Sequence, residues 1–154
     1  MSATTVVAFL LLLSPHPAES QSEKVIKSCP VLTNAEAAAV LGSGTLFASG
    51  AEATSGSVRI SLLCEFVQGS RTLTVLAGKT LGSKDTWEAL RKLSNGTIEQ
   101  GMGDYAYSEL DEGKAHVLVV KGPLTLELRI GGKGATAADL PKVREAAKKA
   151  VPKL

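Results

Sequence analysis

Few side chains in this sequence are equipped for chemistry, and their spacing narrows the options quickly. Two histidines occur, His16 and His116. His16 stands in an N-terminal segment built like a leader, so any Ser-His or Cys-His mechanism would depend on His116. The groups that could work with it lie in Gly101-Met102-Gly103-Asp104-Tyr105-Ala106-Tyr107, which sets an aspartate and both of the chain's tyrosines behind two glycines. A hydrolase-like site would combine His116 with Asp104, Tyr105 and Tyr107 around one cleft, within hydrogen-bond reach of each other. The plainer reading is a histidine packed in a sheet, because Ala115 to Lys121 alternates as a strand. In that strand His116, Leu118 and Val120 share one face and Val117 and Val119 the other. Without catalysis, Asp104, Tyr105, Tyr107 and His116 are still the best candidates for a binding surface.

Other chemistries find weaker footing. One histidine and two cysteines cannot build a structural zinc site if the cysteines pair with each other. Asp104 with Glu109, and Asp111 with Glu112, are carboxylate pairs, but adjacent acids at a hairpin are ordinary turn formers. The chain has only six aromatic residues, too few for the stacking cleft of a glycosidase. Gly131-Gly132-Lys133-Gly134 lacks the spacing of a phosphate loop. Asn95-Gly96-Thr97 matches a glycosylation acceptor, which matters only in a eukaryotic host. No cofactor is expected.

The two cysteines, Cys29 and Cys64, belong to an exported chain. The apolar run Val6 to Leu13 is followed by Ser14-Pro15-His16-Pro17 and a small-residue cleavage site at Ala18-Glu19-Ser20, so residues 1 to 20 read as a signal peptide. Eight apolar residues are too few to span a bilayer core as a helix. Export favours a disulfide between Cys29 and Cys64, worth about 4 kcal/mol on the chain-entropy model. The competing reading is lipidation of Cys29, against which stand Lys27 and the distance back to the apolar run. Only Glu19 among charged residues leaves with the leader, so the formal charge moves from +2 to +3. So small a charge makes no case for nucleic acid, and residues 21 to 154 suit one soluble domain.

The elements that must position these residues read as follows. Thr33-Asn34-Ala35-Glu36 forms a capping box at the head of a short helix that ends at Gly42. The small-residue stretch from Ser43 to Ser57 holds at most one weak strand, Thr45 to Ser49. Ser57 to Val67 and Thr72 to Lys79 alternate as a hairpin around Gln68-Gly69-Ser70. A helix follows from Asp85 to Leu93, with Trp87, Leu90 and Leu93 at three-residue spacing able to pack on the sheet. Strands are expected from Asp104 to Glu109, Ala115 to Lys121 and Leu124 to Ile130, with Asp111-Glu112-Gly113-Lys114 turning the first pair. A last helix, capped by Thr136 with Asp139, presents Leu140, Val143, Ala147, Ala150 and Val151 on one face. The implied class is α+β, an antiparallel sheet with helices packed on one face, in an order that suggests a tandem strand-rich/helix repeat.

Three stretches together, Cys29-Pro30-Val31-Leu32-Thr33 with Glu36 and Val40-Leu41-Gly42, then Cys64-Glu65-Phe66, then Gly101 to Tyr107, resemble a family of small exported bacterial proteins. Many of its members are lipoproteins, and it is grouped as a domain of unknown function. The resemblance runs from Cys29 to Leu154. It implies a first cysteine before the opening helix, a second in a central strand, their pairing, and a Gly-x-Gly-Asp-x-Ala segment leading into a strand. The chain departs from the pattern in lacking a lipid-attachment cysteine. The expected function is an exported, periplasmic or extracellular, non-enzymatic protein that binds another protein, an envelope component or a small apolar ligand through its sheet or its loops. The alternatives are the His116 enzyme and a two-repeat inhibitor or assembly module.

Overall fold

The computed structural model describes residues 21–154 apart from 57, 81 and 133, so the expected signal peptide lies outside the described residues. The chain runs β1 (Gln21–Val25), α1 (Asn34–Leu41), β2 (Leu46–Ser55), β3 (Val58–Gln68), β4 (Arg71–Lys79), α2 (Lys84–Leu93), β5 (Thr97–Ile98), β6 (Tyr105–Asp111), β7 (Lys114–Lys121), β8 (Leu124–Gly132) and α3 (Leu140–Ala150). All strand pairings are antiparallel, in the order β1-β2-β3-β4-β8-β7-β6-β5. The fold is α+β. Its sheet is two four-stranded meanders set side by side, joined where β4 pairs with β8 from Arg71↔Gly132 to Lys79↔Leu124.

Alternation along the central strands gives the sheet two distinct faces. Leu62, Cys64 and Phe66 of β3 lie opposite Ala77, Val75 and Leu73 of β4. Those in turn face Leu126, Leu128 and Ile130 of β8, and the row continues through Val119, Val117 and Ala115 of β7. All of these are buried, with Val40 and Leu41 of α1 and Val143, Ala146, Ala147 and Ala150 of α3 packed over them. Each such Leu or Val removed from water contributes about 1.5–3 kcal/mol. Arg71 of β4 pairs with the buried Asp139 at the head of α3 at 2.9 Å, tying that helix to the joint between the meanders.

The local signals for α1 hold in full: Thr33 caps it, and the reciprocal Glu36 bond to the Thr33 N–H measures 2.7 Å. At α3 the Thr136 N–H and hydroxyl do donate to Asp139, yet the helix begins later, at Leu140. Pro141 explains the shift, since a ring without an N–H suits the first helical turn. Ser83 caps α2 and accepts from the Thr86 N–H, so this helix starts one residue earlier than expected, at Lys84.

Two differences are larger. The stretch expected to hold one weak strand forms the ten-residue β2, and β1 pairs along its outer side. Small side chains hide this pairing from pattern reading; at Gly50 a Cβ would collide with Ile26 and Phe47, which meet across the bare backbone. The halves repeat in their strands but not in their helices. α1 and α3 share the core face, whereas α2 leans on the opposite one, buries none of its residues, and leaves Leu93 83% exposed.

Cys29 and Cys64 form a disulfide across 35 residues of sequence, Cα to Cα 5.7 Å, and it clamps the segment before α1 to the centre of β3. Among the described residues no helix is long and apolar enough to cross a membrane. Replacing both cysteines by alanine should lower the unfolding free energy by about 2–5 kcal/mol in urea titrations. A loss below about 1 kcal/mol would mean that the loop is already held by its packing.

Candidate functional site

The face turned away from α1 and α3 carries most of the residues singled out in the sequence. β6 and β7 meet in a hairpin whose two-residue loop, Glu112-Gly113, takes positive φ at both positions (43° and 75°). That backbone twist matches the strands it joins. The resulting register sets Tyr105 opposite Val120, Tyr107 opposite Leu118 and Glu109 opposite His116. β8 adds Glu127 opposite Leu118 and Arg129 opposite His116. Tyr105, Tyr107 and His116 are thus brought together on one face. Their rings form a chain, Tyr105 to Tyr107 at 6.2 Å and Tyr107 to His116 at 5.8 Å, both edge-on.

His116 sits between two carboxylates. Its Nδ1 is 3.0 Å from Glu109 Oε1. Its Nε2 is 3.2 Å from Glu127 Oε1, a charge contact set off the line of the N–H bond. Burial works against charge on the ring, but Glu127 and Glu109 outweigh it and raise the imidazole pKa above its ordinary value. His116 in turn, against the opposing effect of burial, holds Glu127 below the usual carboxylate range. Burial first, then Glu109 and Glu127, pushes the Tyr107 phenol up to about 12. Tyr107 therefore stays protonated at physiological pH, buried to 4% exposure.

Tyr105 reaches α2 instead. Its hydroxyl donates to Glu88 Oε2 at 2.9 Å, and Glu88 also pairs with Arg91 at 2.6 Å. Arg91, then Tyr105, draws the Glu88 carboxyl down to about 2. Asp104 stands apart: its Oδ2 accepts from the Gly122 N–H at 2.6 Å, and its own N–H donates to the Val120 carbonyl. Gly103 beside it takes φ +65°, and a Cβ there would run into that same carbonyl. The Gly101 to Asp104 stretch is thus a fastening between the start of β6 and the β7–β8 turn. It also forms the wall of a polar pocket of about 290 Å³ that includes Lys84, Glu88 and Tyr105. Asp104 precedes β6 and bonds Gly122 while Glu109, within the strand, meets His116, so the two form no acid pair; Asp111 and Glu112 are exposed at the turn.

Glu127, Glu88 and Trp87 belong to this neighbourhood and were missed as site residues. Glu109 carried a usable signal, because a two-residue loop at Glu112-Gly113 dictates its position opposite His116. Glu127 carried none before the β7–β8 register was known. Trp87, the chain's single tryptophan, lies over the sheet beside a groove of about 260 Å³ with Leu76, Leu118, Gly78, Thr125 and Glu127. Among the described residues no group of three or more His, Cys, Asp or Glu is placed to hold a metal ion. Compared with known proteins, the chain matches no family model, no curated protein and no solved structure.

The carboxylate-histidine trio has a defined pH signature. His116 contributes its full stabilisation below about pH 6.5, the ordinary imidazole value, and loses it as pH rises through the raised folded pKa. Glu127 contributes fully above about pH 4.3 and loses it as pH falls through its lowered folded pKa. Thermal melts across pH should therefore show this cluster strongest between about pH 4.5 and 6.5. In His116→Gln the decline on the alkaline side should disappear; a profile that keeps its wild-type shape would show that the trio does not contribute.

Proposed function

We propose that this is an exported, non-enzymatic binding protein, acting in the periplasm or outside the cell, whose working surface is the α2 side of the sheet. The observation that carries it is the unfinished covering of that face. α2 rests there without a buried residue, and Trp87, Leu76 and Leu118 line an open groove over the bare backbone of Gly78. A sheet face with half-buried aliphatic side chains and an adjoining aromatic wall suits a macromolecular partner or an envelope component. Leu63, Val67 and Leu76 extend it across β3 and β4.

The surroundings of His116 favour binding over catalysis. Both ring nitrogens face carboxylates, the ring lines none of the crevices described above, and Tyr107 holds its proton too tightly to act as a base. The Cys29–Cys64 disulfide is compatible with export. The family resemblance carried by Cys29, Cys64 and the Gly101 to Tyr107 segment belongs to the same proposal.

Because Trp87 is the only tryptophan, it reports on its own groove. Titration with the apolar probe 1-anilinonaphthalene-8-sulfonate, excited through tryptophan, should give saturable energy transfer that Leu76→Glu removes. Transfer that persists unchanged in the folded Leu76→Glu protein would place the apolar surface elsewhere and sink the reading.

A further inference from the structure

Beyond Trp87, the last turn of α2 and β6 enclose a second crevice of about 280 Å³, lined by Leu90, Leu93, Ser94, Tyr107, Glu109 and Asp111. Its chemistry is lopsided: three apolar walls and two carboxylates. Asp111 is exposed and makes no ion pair among the described residues. Glu109 meets His116 through one oxygen, while its other oxygen is buried without a hydrogen-bond partner. With His116 protonated, Glu109, His116 and Glu127 still sum to one negative charge, and with His116 neutral to two. Arg129 offsets part of this charge through Glu127, but among the described residues no Lys or Arg pairs with Asp111 or Glu109. Lys92 and Lys114 are exposed, and neither comes within ion-pair distance of Asp111 or Glu109. Arg91 is held by Glu88 and the Gly96 carbonyl, and Arg129 lies across from His116 on β8.

We infer that this crevice docks a partner protein through an arginine side chain flanked by aliphatic residues. The guanidinium meets Asp111 in the field of Glu109, and its methylene stem lies along Leu90, Leu93 and Tyr107. Long basic side chains combine an apolar stem with a charged head in this way, and the planar fork of arginine matches a carboxylate bidentately. A protein, not a small free cation, is indicated by what lies outside the crevice. Leu93 is 83% exposed, Leu90 43% and Ile98 39%, and Ile98 pairs with Tyr107 and so shares its face. A small ligand would leave that apolar surface in water, whereas neighbouring aliphatic side chains of a partner cover it.

This inference rests on the reading that the α2 side is the binding surface, and the test separates the two. A fluorescein-labelled peptide, Ala-Leu-Arg-Leu-Ala, is titrated by anisotropy beside the same peptide with citrulline in place of arginine, a substitution that keeps shape and removes charge. The arginine peptide should bind about tenfold more tightly. Asp111→Asn, at an exposed turn position, should shrink that ratio several-fold by weakening only the arginine peptide, and Leu93→Ser should weaken both. Equal binding of the two peptides, a ratio unmoved by Asp111→Asn, or no binding of either at millimolar concentration would overturn the arginine site. If the Trp87 energy transfer survives alongside such a result, the binding surface stands and only its partner chemistry is wrong. If arginine selectivity appears while the Trp87 signal is absent, the crevice stands and the groove is not the working surface.

Discussion

The ladder between β4 and β8 is the constraint on which everything else depends. It joins the two meanders into one sheet, and its register decides which residues look toward α1 and α3. Leu73, Val75 and Ala77 meet Ile130, Leu128 and Leu126 there. A slip of one residue would turn that row outward and bring Thr74, Leu76, Glu127 and Arg129 into the core. The cost would be several buried aliphatic side chains at once, plus an uncompensated charge on the dry side. Arg71, at one end of the ladder, fixes the position of α3 by pairing with Asp139. Burial opposes charge on Asp139, but the Thr136 N–H and Arg71 keep its carboxyl below the ordinary range.

From that one register follows the division of labour between the faces. The core face is sealed by two helices and stapled by the disulfide at Cys64. Among the described residues the other receives only α2, whose contacts are polar at Glu88 and Tyr105 and peripheral at Trp87. An amphipathic helix that finds no deep place for its apolar side leaves Leu90 and Leu93 in solvent. The half-buried trio of Glu109, His116 and Glu127 lies on this face. His116 sits between the two carboxylates, and that pairing ties its protonation to the stability of the fold across pH.

How much was legible depended on whether the signal was local. The α1 capping box is written in Thr33 and Glu36, three residues apart, and needs nothing distant. β3, β4, β7 and β8 announce themselves by alternation, because each has one wet and one dry side. β2 does not, since Gly50, Ala51 and Ala53 make room for neighbours without burying much of their own. Among the site residues, Tyr105, Tyr107 and His116 stood out by rarity, whereas Glu109, dismissed as a turn acid, could have been found from its place in the hairpin. Glu127 joins them only across the β7–β8 pairing, and Glu88 only across the contact between α2 and β6.

The sequence by itself determined the alternation of the central strands, the tight turn at Glu112-Gly113, the α1 cap and the pair of cysteines available to join. These follow from backbone preferences and side-chain periods that act over a few residues. Tertiary structure alone decided that α2 settles on the face opposite α1 and α3, that Tyr107 is buried, and that His116 lies between two acids. Those outcomes depend on which surfaces are left once the largest apolar rows have paired, a competition among distant parts of the chain that no local pattern encodes.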